Sequence, residues 1–297
     1  MASPSLRLAT RSSALALTQA GLVGEMLGGA ELVEVSSDGE LGDKARFVRG
    51  VEQALLDGAA EVGVHSAKDL PGEMTGGLAI GAVPVREDPR DVWIGVGTSL
   101  DDVPEGARVG TASLRRRAQL LAARPDLRVE ELHGNVDTRL RKLEEGDLDG
   151  IVLAAAGLRR LGREAEIGFA IPVEEMVPAA GQGALVLQIR GDDGDTAAAV
   201  APVGDGTALR ELSAERAVVA LLDATCASPI GVHARVDGDE LSVEAFVGLP
   251  DGSEWLRDRI EADAADPTTA GAQLAERLLA AGARDLLDRA EALGGAA

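Results

Sequence analysis

The sequence predicts an α/β protein with a smaller α+β block at its C-terminal end. Three observations carry that expectation. Over roughly the first two hundred residues, short apolar runs alternate with helical stretches, the pattern of strand–helix units in mostly parallel sheets. After about Gly204 the texture changes to a long helical stretch, two alternating runs and a closing helix. Within the first part, three strand ends are each followed by a polar turn and a helix start.

Leu6–Thr10 reads as the first strand, and Ala14–Leu27 as a helix carrying Leu15, Leu22, Val23 and Met26. Leu32–Val35 is a strand, and Phe47–Leu56 a helix with Phe47, Val51, Ala54 and Leu55 on one face. Strands follow at Val62–Val64, Leu78–Val83, Val92–Val96 and Arg108–Thr111. A helix opens near Ser113, and strand Leu127–Leu132 precedes a helix opening near Asn135. Strand Gly150–Ala154 precedes a short helix ending near Leu161, and Asp192–Asp195 reads as a surface turn. Ala208–Leu222 is helical and leads to Cys226. Gly231–Val236 and Leu241–Val247 alternate as strands around Asp237–Gly238–Asp239, and Thr269–Ala292 reads as one amphipathic helix.

The 297 residues include 29 Lys+Arg against 50 Asp+Glu, a net charge of −21, with 45% hydrophobic residues. Such a chain can bury real cores, and its length suggests about two domains at ~150 residues each. The acidity counts against nucleic-acid or anionic-membrane binding, which need a positive field. Five aromatic residues and no tyrosine leave little for base stacking. No apolar run approaches ~18 residues, and the start MASPSLRLATRSS lacks a signal-peptide core, so a cytoplasmic protein is expected. The single cysteine, Cys226, excludes an internal disulfide framework. Three histidines and no carboxylate cluster at ligand spacing predict no metal.

The charge is uneven. Arg86–Lys142 holds 11 basic and 10 acidic residues, net +1, which leaves −22 for the remainder. That segment is either an anion site or a solvated mixed-charge face. Of the basic residues 26 are arginine and only Lys44, Lys68 and Lys142 are lysine. The ratio reflects either genomic base composition or guanidinium forks suited to carboxylates.

The three strand-to-helix turns are Ala9–Ser13, Gly110–Arg116 and His133–Arg139. Each offers free backbone N–H groups, a hydroxyl or amide cap and an arginine, a sound site for an anion. Ser13, Ser113 and Asn135 are equally plain N-caps. In Val64–Pro71 a carboxyl, Asp69, follows a buried-looking strand beside Lys68; it is a Lys–Asp surface turn or a group that stabilises a cation and moves protons. His65 reads as a core or supporting histidine. Cys226, on a loop beside Pro229 and Gly231, is either a small buried hydrophobe or a thiol for covalent attachment.

The segments ATRSSALALTQA, VHSAKDLP, REDPRD, GTASLRRRAQL, HGNVDTRLRKL, AAAGLRRLG, VPAAGQGAL and CASPIG, in that order, resemble the porphobilinogen deaminase family. The resemblance runs from about Arg7 to the C-terminal helix. It implies a transferase, hydroxymethylbilane synthase, that joins four porphobilinogen molecules head to tail with loss of four ammonia. The primer would be a dipyrromethane cofactor held by a thioether to Cys226, with no metal. Asp69 would be the catalytic carboxyl. Ser66, Lys68, Thr111, Ser113, Arg115 and Arg116 would bind the cofactor, and Arg11, Ser13, Arg139 and Arg160 the substrate carboxylates. Lys44 and Phe47 would belong to a loop over the cleft.

The resemblance also implies two α/β domains like periplasmic binding proteins around a cleft, residues 1–84 with 184–202 and residues 88–178. A small α+β domain, 206–297, would carry the cysteine. A monomer that hands its product to uroporphyrinogen-III synthase is expected. Three departures stand out: Ser36–Phe47 is short and acidic for the family's loop, His133 replaces an arginine, and Ala14 and Thr225 replace proline and glycine. The rival expectations are an anion solute-binding module and a degenerate deaminase with slow turnover.

Overall fold

A computed structural model of the chain describes residues 6–35, 44–225 and 227–294. In chain order the elements begin with β1 (Leu6–Arg11), α1 (Ala14–Met26), β2 (Ala30–Val35), α2 (Lys44–Leu56), β3 (Val62–Ser66) and β4 (Leu78–Ala82). Next come β5 (Asp91–Gly95), β6 (Arg108–Gly110), α3 (Leu114–Ala123), β7 (Arg128–Glu130), α4 (Val136–Glu144), β8 (Gly150–Ala154), α5 (Ala155–Arg160) and β9 (Phe169–Ala170). The chain continues with β10 (Leu185–Arg190), α6 (Gly194–Val200), α7 (Gly206–Leu221), β11 (Ile230–Asp237), β12 (Glu240–Gly248), β13 (Trp255–Asp263), α8 (Pro267–Ala280) and α9 (Ala283–Gly294).

Two units result. The first, Met1–Glu87 with Gly183–Leu209, is built on a sheet of order β2-β1-β3-β10-β4. β2, β1 and β3 are parallel, and β10 lies antiparallel to both β3 and β4. Helices cover both faces, so β3 and β10 are buried almost throughout. Leu8, Val62, Val64 and Leu187 pack with Ala20 and Val23 of α1, while Ala9 packs with Val51, Ala54 and Leu55 of α2.

The second unit, Asp88–Gln182 with Arg210–Ala297, holds two sheets. One has the order β7-β6-β8-β5-β9, with β7, β6 and β8 parallel and β5 antiparallel to β8 and β9. Three parallel strands, one reversed strand and an edge strand thus recur in the same order in both five-stranded sheets. Trp93 is fully buried in this sheet, and Gly150 on the neighbouring strand β8 is obligatory: a Cβ there would lie 2.1 Å from the indole. The other sheet is the antiparallel β11-β12-β13. Its core joins Val232, Val243 and Ala245 to Val218 of α7, Leu274 of α8 and Leu286 of α9. Ala118 of α3, Val177 and Phe246 of β12 pack together within the same unit.

Two expectations are corrected. The closing amphipathic stretch is two helices, not one: α8 stops at Ala280, and Gly282 at φ +104 turns the chain before α9. Both five-stranded sheets are mostly parallel as expected, with only β10 and β5 running against the other four strands. The acidic stretch at Asp192–Asp195 is only partly a turn, since Asp193 caps α6 by accepting from Thr196 N. Among the described residues no helix is long and apolar enough to cross a membrane. No group of three or more His, Cys, Asp or Glu among them is arranged to hold a metal ion.

Candidate functional site

In the first unit the carboxyl ends of adjacent parallel strands β1 and β3 come side by side, the edge of an open α/β sheet where ligands bind. Arg11 ends β1, and Ser13 caps α1 by accepting from Ala16 N at 3.3 Å. Ser66 ends β3 and leads into a single 3₁₀ turn, Ala67–Asp69, that carries Lys68 and Asp69. The turn is tied down by its backbone: Ala67 N donates to Ala184 O at 3.0 Å, and Leu70 N to Ala67 O at 3.2 Å. Pro71 then blocks continuation. Arg11 reaches Asp69 with Nη2 3.4 Å from Oδ2, both side chains partly exposed. Arg11, Lys68 and Asp69, separated by up to 58 positions, therefore share one sheet edge. His65 lies beneath that turn, 6% exposed, and burial pushes its pKa down to about 4.

In the second unit the turn before α3 is built by its own hydroxyls. Thr111 is buried and accepts from Ser113 N at 3.2 Å, and Ser113 caps the helix by accepting from Arg116 N. The first turn of α3 presents Arg115 and Arg116, both buried against a carboxylate that sequence reasoning did not single out, Asp91. Arg115 donates through Nη1 to Asp91 Oδ2 at 2.6 Å and to Val177 O at 2.7 Å. Arg116 donates through Nε and Nη2 to Asp91 Oδ1 and through Nη1 to Val152 O. Gln182 adds an amide donor to Oδ1 at 3.0 Å. Burial alone would raise the Asp91 pKa, but the two guanidinium groups and these hydrogen bonds hold it well below the usual carboxylate range. Asp91 is the last residue of REDPRD and Gln182 lies in VPAAGQGAL, so the motifs contained them without indicating their pairing.

Asn135 caps α4 by accepting from Thr138 N at 2.9 Å, and Gly134 at φ +117 makes the preceding turn. A Cβ at Gly134 would lie 2.8 Å from Thr138. Arg139 folds back, donating through Nε to Gly134 O at 2.8 Å. It is half-buried, has no carboxylate partner among the described residues, and its pKa is pulled down to about 10 by burial and by the Arg116 charge. Arg115 likewise has no acceptor for Nε or Nη2 among the described residues. These two arginines therefore offer guanidinium donors to an added anion.

Most other arginines of the near-neutral segment do not. Arg90 pairs with Asp88, Arg108 with Glu130, Arg124 with Asp126 and Arg141 with Glu145. His133 is exposed and meets Glu131 at 3.0 Å. Arg160, half-buried, ends α5. Cys226 lies outside the described residues, as do most of the Ser36–Phe47 segment and the side chains of Lys44 and Phe47. The residues flanking Cys226 do bond to each other: Thr225 N donates to Ser228 Oγ at 2.9 Å, and Ala227 N to Thr225 Oγ1 at 3.2 Å.

The donor set fits a ligand that carries several carboxylates. Arg115 and Arg139 have guanidinium N–H groups with no acceptor among the described residues, and two helix starts lie in the same unit.

Comparison with known proteins gives a consistent result. Residues 6–198 match the family model described as porphobilinogen deaminase, dipyromethane cofactor binding domain, and residues 209–280 match the porphobilinogen deaminase C-terminal domain. A porphobilinogen deaminase of Brevibacillus brevis is 44% identical over 95% of this chain and 96% of its own. That of Thiobacillus denitrificans is 44% identical over 95% and 98%. Among solved structures, a TRAP periplasmic solute binding protein of Desulfovibrio salexigens is similar at 11% identity and a TM-score of 0.43, over 68% of this chain and 73% of its own.

Proposed function

This chain belongs to the porphobilinogen deaminase family, and on that premise we propose that it is a hydroxymethylbilane synthase, condensing four porphobilinogen molecules with loss of four ammonia. The observation that carries the reading is Arg139: a half-buried guanidinium with no carboxylate partner among the described residues, beside a second buried arginine. A folded chain holds such a charge at a cost, and a carboxylate ligand removes it.

The family's cofactor-binding domain model matches residues 6–198, and the dipyrromethane group, attached through Cys226, would supply the primer for chain growth. Arg115, with Thr111 and Ser113 at the start of α3, and Ser66 and Lys68 on the β3 turn, would hold its carboxylates. Arg116, bonded through each of its guanidinium nitrogens to Asp91 or Val152, acts by keeping Arg115 and the α3 start in place. Arg11, Ser13, Arg139 and Arg160 receive substrate carboxylates. The Asp69 carboxyl stands against the positive charge that develops on porphobilinogen as its aminomethyl C–N bond breaks, and it holds the proton in transit. Arg11 orients Asp69. His133 is paired with Glu131 at the surface.

The second unit comprises two domains, one on each of its sheets, so the chain has three. It acts as a cytoplasmic monomer and passes its product to uroporphyrinogen-III synthase. Purified protein given porphobilinogen should release one ammonia per substrate consumed and form a linear tetrapyrrole. Binding of porphobilinogen without ammonia release would overturn this reading in favour of a solute-binding module.

A further inference from the structure

Beneath the Asp69 turn, four side chains from different segments form one buried polar chain. Thr75 Oγ1 donates to Glu52 Oε2 at 2.8 Å. Gln188 Nε2 donates to Glu52 Oε1 at 3.0 Å, which leaves Gln188 Oε1 to face His65 Nε2 at 2.9 Å. Glu52, His65 and Gln188 are each at most 6% exposed. The direction of every bond is dictated. A carboxylate only accepts, so the Gln188 amide must turn its NH₂ to Glu52 and its oxygen to His65. An amide oxygen only accepts, so the proton of a neutral His65 must sit on Nε2.

Room for this chain comes from Gly63, the residue of β3 that pairs with Gln188. A Cβ at Gly63 would lie 3.1 Å from His65 Nε2 and 2.7 Å from Val51 Cγ1. His65 directly precedes Ser66 and the turn bearing Lys68 and Asp69. The charged groups that act on it are Glu52 from α2, Asp69 from the turn and Arg11 from β1.

We propose that Glu52 is a positioning residue for Asp69: through Gln188 it fixes His65 as the Nε2–H form, and so holds the end of β3 and the Ser66–Asp69 turn in one arrangement. A buried polar chain favours the arrangement that sets each donor against an acceptor, because turning one member over sets donor against donor or acceptor against acceptor. Exchanging the Glu52 carboxylate for an amide removes the direction. The new side chain can donate or accept, the Gln188 amide can then turn over, and His65 can carry its proton on Nδ1 instead.

The inference rests on Asp69 being the reacting carboxyl, and its test has one arm free of substrate. In the full-length protein, imidazole nitrogen NMR resolves three histidines, and His65 is identified with His65→Asn. Wild type should show His65 as a neutral Nε2–H ring from about pH 5.5 to 8. Glu52→Gln should show mixed tautomers, with kcat down about ten- to hundredfold and KM within about twofold. Gln188→Asn, too short to bridge, should do the same. An Nδ1–H or titrating His65 in wild type overturns the proposal even if neither variant folds. Folded variants with mixed tautomers and wild-type kcat overturn it as well. If wild type consumes no porphobilinogen while its His65 is Nε2–H, the functional reading fails, and the positioning role falls with it.

Discussion

Asp91 holds Arg116 through a single oxygen: Oδ1 accepts from Nε at 3.0 Å and from Nη2 at 2.8 Å, while Oδ2 is given to Arg115. The carboxylate is completely buried. Removing one member of such a cluster strands the others as buried charges. Asp91→Ala should therefore cost about 3–5 kcal/mol in the unfolding of the second unit. The sign with pH follows from the lowered pKa. The contribution is complete above the unfolded carboxylate value of about 4 and is lost only as pH falls further toward the folded value. Denaturant titration at pH 7 checks the magnitude; a loss under about 1 kcal/mol would contradict the assignment.

Asp69→Ala should abolish turnover and leave stability nearly unchanged. The carboxyl is partly exposed, and its ion pair with Arg11 is long at 3.4 Å, a type of contact worth about 0–1 kcal/mol. Ammonia release and thermal unfolding on the same sample separate the two effects. Turnover near the wild-type rate would remove Asp69 from the chemistry.

Arg139→Met should do the reverse to stability. It deletes a half-buried cation whose ionised form is disfavoured by burial and by Arg116, so the fold should gain up to about 1 kcal/mol while KM for porphobilinogen rises. A destabilised variant with unchanged KM would mean that the guanidinium serves packing.

His65 sets a pH dependence of opposite sense to Asp91 in origin but the same in direction. Its folded pKa, about 4, lies below the unfolded value near 6.5, so between those values the unfolded chain binds more protons. Stability therefore falls on acidification from about pH 6.5 to about 4, by up to about 3 kcal/mol. Unfolding measured across that range should show a shallower dependence in His65→Asn than in wild type. Parallel curves would place a titrating His65 in both states.

Local signals in the sequence were faithfully realised. Ser13, Ser113 and Asn135 cap α1, α3 and α4, and Gly150–Ala154 is a strand as its apolar run predicts. What stayed illegible depends on distance along the chain. The run LVLQIR of β10 inserts beside β3, roughly 120 positions earlier, and no local pattern announces that. β13, WLRDRIEAD, is an edge strand whose charges pair across to β12 and α8, as Arg257 does with Glu244 and Arg277 with Asp258; its polarity hides it. The α8–α9 break interrupts no apolar periodicity and is marked only by Gly282. In the site, the arginine turns were legible because helix starts are local. Their partners were not: Asp91 meets Arg115 and Arg116 across 24 and 25 positions, and Glu52 meets Gln188 across 136.

The central claim is that this chain builds a linear tetrapyrrole on a primer bound to Cys226. It is tested most directly by the intact mass of protein purified from cells that make porphobilinogen. Wild type should exceed its 30.4 kDa sequence mass by a two-pyrrole adduct, and Cys226→Ala should match its own sequence mass. A wild-type mass equal to the sequence mass, or an adduct that survives Cys226→Ala, would contradict the account.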